Sequence, residues 1–197
     1  MQGGLWPPSF PRSGISRKLD KKLHSLLSGQ KDAIVERWLD GLIKSYPADT
    51  TRFLRTEKDR FANPLGQNLT RGIHALVDVL LQNGPADQLA RALDGIIRIR
   101  AVQELSTAQA LGFVFGLKDV VHQLCAEAIR AGGLEQAQRG FEREVDELAL
   151  LAFEIYLGCK KQLYELRVNE MKRKTAKLVE RMNQKGWLTE EEEEEGR

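Results

Sequence analysis

The chain has 197 residues, 42% of them hydrophobic, enough for one substantial core and about the size of one domain. Its 30 basic and 28 acidic side chains leave a formal charge of +2, too close to balance for a general nucleic-acid binder. It has no run of eighteen or more apolar residues, which excludes a membrane-spanning helix.

The N-terminal MQGGLWPPSFPRSG lacks the basic start and apolar stretch of a secretory signal, so residues 1–15 are expected to be a disordered arm and the protein cytoplasmic. Ser16 is the expected cap of a first helix carrying Leu19, Leu23, Leu26 and Leu27, with Ser28–Gly29 as a break. Ile34, Val35, Trp38, Leu39, Leu42 and Ile43 follow at helical spacing, closed by Tyr46 and stopped by Pro47. The pattern fits two helices or one kinked helix equally well. Between Asp49 and Pro64 only Phe53, Leu54 and Phe61 are large and apolar, which predicts one or two short helical turns. Asn63 then caps a helix beginning at Pro64, with Leu65, Leu69, Ile73, Leu76, Val77, Leu80 and Leu81 facing inward.

Asn83-Gly84-Pro85 ends that helix and opens another with Leu89, Leu93, Ile96, Ile97 and Ile99. Ser106 and Gln109 form a capping box for a helix whose face is Ala110, Phe113, Val114, Leu117, Val120, Val121, Leu124, Cys125 and Ile129. Gly132-Gly133 terminates it, and a final helix starts near Leu134 or Glu135. No alternating strand pattern occurs. The expected fold is all-α, globin-like or a helical bundle, with a long C-terminal helix extending as a coiled-coil stalk.

That last helix contains no proline and, from Glu144 to Lys185, only Gly158; it would span roughly 60 Å. Its first half is apolar around most of its circumference, as in a domain core, with a stripe at Leu148, Ala152, Ile155 and Cys159. Its second half thins to Tyr164, Val168, Met171, Thr175, Leu178 and Met182, the alternating four-three spacing of a coiled-coil seam. The expected organisation is a helical sensory domain over 16–163, a dimer stalk over 164–185 and a disordered acidic tail over 186–197. Gly158 to Lys161 is the expected weak point between core and stalk.

Chemistry-bearing residues are few. Phosphate-binding loops, paired-cysteine metal motifs and nucleophile elbows are absent, so no catalytic or metal-ligating residue is assigned. Cys125 and Cys159 read as buried reduced thiols. His122 and Cys125 would be half of a metal site, but with no second pair they read as packed core residues. His74 and His122 are weak candidates for haem or small-ligand binding, and His24 reads as a surface residue. Arg98 and Arg100, within the apolar IIRIRAVQ, read as snorkelling or pairing with Asp59 or Glu104; the alternative is an anion or partner contact. Lys172, Arg173, Lys174, Lys177, Arg181 and Lys185 read as a solvated coiled-coil flank, with nucleic acid or an acidic partner surface as alternatives.

Three stretches, IVERWLDGLIKSYPADTTRFLRTEKDRFANPLGQNL, LDGIIRIRAVQELSTAQALGFVFGLKDVV and VDELALLAFEIYLGCKKQLYELRVNEMKR, resemble the RsbRD N-terminal domain family of RsbT co-antagonist proteins. FANP and IIRIRAVQ are the most specific strings. The resemblance, over roughly Leu23 to Lys174, implies an all-helical, non-haem globin-like input domain that dimerises and has no catalytic residue or cofactor. In RsbR-type proteins such a domain leads into a STAS output domain; here the chain ends at Arg197, so output is expected through a separate, unknown partner protein. Stand-alone versions beside genes for the DsrMKJOP membrane redox complex imply an alternative role as an accessory protein docking on such a complex.

Overall fold

The computed structural model describes residues 19–57, 59, 61–103 and 105–184. Those residues form eight α-helices and no strand: α1 (Lys21–Gly29), α2 (Lys31–Lys44), α3 (Ala48–Thr56), α4 (Pro64–Leu81), α5 (Ala86–Ala101), α6 (Thr107–Leu111), α7 (Phe113–Ala131) and α8 (Glu135–Gln184). The fold is all-α, with a long C-terminal helix. The chain divides into two compact units, Met1–Tyr156 and Leu157–Arg197. No helix among the described residues is long and apolar enough to cross a membrane. The N-terminal arm and the acidic tail lie outside the described residues.

In the first unit, local chemistry sets the helix ends. Asp20, not Ser16, caps α1: its carboxylate accepts the Lys22 and Leu23 N–H groups at 2.9 and 3.2 Å. Ser16 lies outside the described residues. α1 and α2 are separate helices with Gln30 between them. α3 is a nine-residue helix rather than one or two turns, and it buries only Leu54; Phe53 is largely exposed. Asn63 is nearly fully buried, accepting the Gly66 N–H at 2.8 Å and donating to the Glu57 carbonyl at 2.9 Å. One side chain thus caps α4 and ties down the end of α3.

α4 packs on α5, and α2 lies against both α4 and α7. Gly72 makes the α4–α5 approach close: a Cβ there would lie 2.5 Å from Cγ1 of Ile96. At the α4–α5 turn Asn83 adopts a left-handed φ of 50°, which asparagine tolerates better than most residues. Its Oδ1 accepts the Leu19 N–H at 3.1 Å, while the Gly84 N–H donates to the Val79 carbonyl at 2.8 Å. The chain's entry into α1 is thereby pinned to this turn.

Ser106 and Gln109 form the expected capping box, with bonds of 2.9 and 3.2 Å. The helix it opens is not continuous, however. α6 ends after five residues and α7 starts beyond Gly112, a glycine whose Cβ would lie 2.7 Å from the Ala108 carbonyl. Nearby, the Trp38 indole N–H donates to the Phe113 carbonyl at 2.6 Å, fixing the start of α7 against α2.

Leu23, Leu27, Trp38, Leu42, Leu69, Ile73, Leu76, Leu89, Leu93, Ile96 and Ile97 are fully buried. α8 contributes Phe141, Val145, Leu148, Leu151, Ala152 and Ile155 to the buried set, and Lys118 on α7 pairs with its Asp146 at 2.6 Å. In the second unit α8 continues without interruption to Gln184. Cys159 is buried, but from Lys160 onward every described side chain is exposed or half-exposed.

Candidate functional site

The most unusual side chain in the first unit is Arg100. On α5 it shares the phase of Leu93 and Ile97, so the helix carries it into the core, and its exposure is 0%. It neither snorkels nor pairs with a described carboxylate such as Asp59; pairing with Glu104 lies outside the described residues. Its hydrogen bonds go to neutral oxygens instead. Nε donates to the Ala110 carbonyl at 2.9 Å, and Nη2 donates to the Gln109 carbonyl at 2.6 Å and the Ser45 hydroxyl at 2.8 Å. Ser45 in turn donates to the Leu42 carbonyl at 2.6 Å. One guanidinium therefore joins the ends of α2, α5 and α6.

Aromatic faces complete its surroundings. The guanidinium carbon lies 4.8 Å from the Tyr46 ring centre and 5.6 Å from that of Phe113. Phe113 stacks on Trp38 at 6.1 Å, so the layer runs from Trp38 through Phe113 and Arg100 to Tyr46. Burial pushes the Arg100 pKa down from its ordinary value, with Tyr46 opposing the shift; a guanidinium still keeps its charge. Three buried polar atoms here and just beyond find no hydrogen-bond partner among the described residues: Arg100 Nη1, Tyr46 Oη and Gln103 Oε1. Arg98, by contrast, is exposed and pairs with Asp94 at 2.6 Å along α5.

The histidines are not brought together. His74 and His122 are both exposed, so neither turns its ring into the core. His122 also parts from Cys125, which is buried; the expected packed pair does not form. At 100° per residue His122 sits well off the stripe centred on Leu117 and Val121. Burial raises the Cys125 pKa, which keeps it a thiol. His24 is half-buried and donates through Nε2 to the Leu81 carbonyl at 2.5 Å, rather than lying free on the surface. No group of three or more metal-ligating side chains occurs among the described residues.

In the second unit the seam residues Tyr164, Val168, Met171, Thr175 and Leu178 are exposed and Met182 is half-exposed. Tyr164, Met171 and Leu178 are each about three-fifths exposed, far above the value for a settled apolar side chain. Lys174 flanks them and pairs with Glu170 at 2.8 Å, which lowers the Glu170 pKa. Counting the same register back through Lys161 reaches Leu157 and, in the first unit, Leu150, both also exposed. Both belong to the half of α8 whose apolar coverage predicts a domain core, and the structure leaves them exposed.

The profile of the family described as RsbT co-antagonist protein rsbRD N-terminal domain matches residues 32–171. The chain belongs to this family of regulatory domains. No curated protein and no solved structure matches it.

Proposed function

We propose that the chain is a non-enzymatic signal-input domain that works as a homodimer, paired through α8, and passes its state to a separate partner protein in the cytoplasm. Membership of a regulatory domain family supports the role. The observation that carries the pairing is the row of exposed apolar side chains at Tyr164, Val168, Met171 and Leu178, in heptad register on a helix where, among the described residues of its unit, nothing covers them. Cys125 and Cys159 form no disulfide with each other, in keeping with a reducing compartment.

Charge favours parallel pairing. With Val168 at position a and Met171 at d, the g positions are Lys160, Arg167, Lys174 and Arg181. Antiparallel helices would set all four cations against one another, whereas parallel helices place Lys160 opposite Glu165 and Lys174 opposite Val179 of the second copy, leaving Arg167 and Lys172 as the one like-charge pairing. Light scattering on the full chain at high micromolar concentration is expected to give a dimer. Met171→Glu with Leu178→Glu is expected to give a monomer whose near-ultraviolet dichroism is unchanged. A monomeric wild type, or a double variant still dimeric, refutes the reading.

A further inference from the structure

Among the described residues Arg100 is a cation without an anion. Its guanidinium has five N–H groups. Nε and Nη2 are engaged by Ala110, Gln109 and Ser45, all neutral, and Nη1 has no acceptor among the described residues. Carbonyl dipoles offset part of the cost of burying the charge, but they carry only partial negative charge. The Tyr46 hydroxyl is also buried and meets no partner of good hydrogen-bond geometry, although it lies close enough to the guanidinium to oppose the fall in its pKa.

An open surface groove is lined by Lys44, Tyr46, Ala48, Thr51, Arg52, Arg55 and Thr56. Lys44 and Arg55 share the single carboxylate of Asp40, and Arg52 pairs with Asp49, so the groove keeps an excess of positive charge. Tyr46 belongs to both places: it lines the groove, and its ring covers the guanidinium. It sits on the three-residue link between α2 and α3, where the Thr51 hydroxyl lies 3.0 Å from both the Ile43 and Tyr46 carbonyls. That contact anchors the backbone of the link, while the phenol rests against the guanidinium.

We propose that Arg100 and Tyr46 form the receptor for a small oxyanion, which the basic groove attracts and which reaches Arg100 Nη1 and the Tyr46 hydroxyl when the Tyr46 ring turns aside. Carboxylate, phosphate and sulfate share the chemistry required: oxygen acceptors for the planar guanidinium edge and negative charge to balance it. The site rests on the reading of the chain as an input domain, for which it supplies the class of ligand. Moving Tyr46 would disturb the junction of α2, α5 and α6 that Arg100 ties together.

The test is isothermal titration of the full chain with sodium acetate, sodium phosphate and sodium sulfate in turn, at ionic strength held constant with sodium chloride. At least one is expected to bind saturably, with one site per chain and a Kd below about 1 mM. Tyr46→Phe removes only the hydroxyl and is expected to raise that Kd about fivefold or more. Arg52→Ala should weaken binding mainly at low salt. Arg100→Met should abolish it; should that variant not fold, Tyr46→Phe still decides the question. Saturation by none of the three ions, or a Kd unchanged in Tyr46→Phe, overturns the proposal. Light scattering on the same samples keeps the two readings apart, because a monomer that binds the ion sinks the paired input domain and leaves the site standing.

Discussion

α8 is one helix with two physical regimes. Up to Tyr156 its apolar side chains are largely buried, and Leu148, Leu151 and Ala152 have almost no exposed surface. From Lys160 to Gln184 nothing on it is buried, yet apolar residues still recur every three or four positions. Helix propensity does not distinguish the halves, for good helix formers dominate both, Leu, Ala and Glu in the first and Lys, Arg, Glu and Leu in the second. The difference is in where the apolar surface goes, inward in one half and towards solvent in the other. A periodic stripe marks a contact without stating whether its other side is the same chain.

The comparison breaks most sharply at its leucines. Leu148→Ala is expected to destabilise the fold by about 2–5 kcal/mol in urea denaturation, the range for a buried leucine. Leu166→Ala, exposed and off the seam, should change it by less than about 0.5 kcal/mol. Equal costs at both positions would erase the distinction between the halves. Glycines sharpen it with opposite signs. Gly72→Ala forces a methyl group into Ile96 and should cost about 1–3 kcal/mol. Gly158→Ala meets nothing within 4 Å and should stabilise by about 0.5–1 kcal/mol, read as a higher Tm. A destabilised Gly158→Ala would mean that the position needs glycine for more than space.

The smallest effect is electrostatic. Hydrogen bonding from Lys44 and the charge of Arg55 hold the Asp40 carboxyl below its ordinary value of 3.8. A depressed folded pKa contributes stability above the unfolded value and loses it as pH falls through the folded one. Wild type should therefore exceed Asp40→Asn by at most about 1 kcal/mol at pH 7, because the pair is exposed, and the gap should close below pH 3.8. Urea melts across that window measure it.

Much of the first unit was legible because local signals determine it. Asn63 before Pro64 gave the start of α4, and Ser106 with Gln109 gave the start of α6. The break at Gly112 was not legible, because a glycine inside an apolar helical pattern looks the same whether or not the helix continues past it. Arg100 was misread from residue type: an arginine suggests solvent, although its phase with Leu93 and Ile97 pointed inward. The partners that make burial tolerable, Ser45 far back in the chain and the carbonyls of Gln109 and Ala110 on the next helix, leave no mark in the spacing around Arg100. His122 erred the other way, since a spacing of three from Cys125 was taken as a shared face although the stripe lies to one side.

The α4–α5 turn also bears on the chemical ageing of the protein. Asparagine followed by glycine is the pairing most prone to deamidation, because the following backbone nitrogen attacks the side-chain amide carbon to close a five-membered imide. At Asn83–Gly84 that nitrogen already donates to the Val79 carbonyl, and the amide oxygen is held by the Leu19 N–H. The Gly84 nitrogen must be released from the Val79 carbonyl before the ring can close. The conversion is therefore gated by local opening of this corner, and the folded chain protects its own most perishable bond.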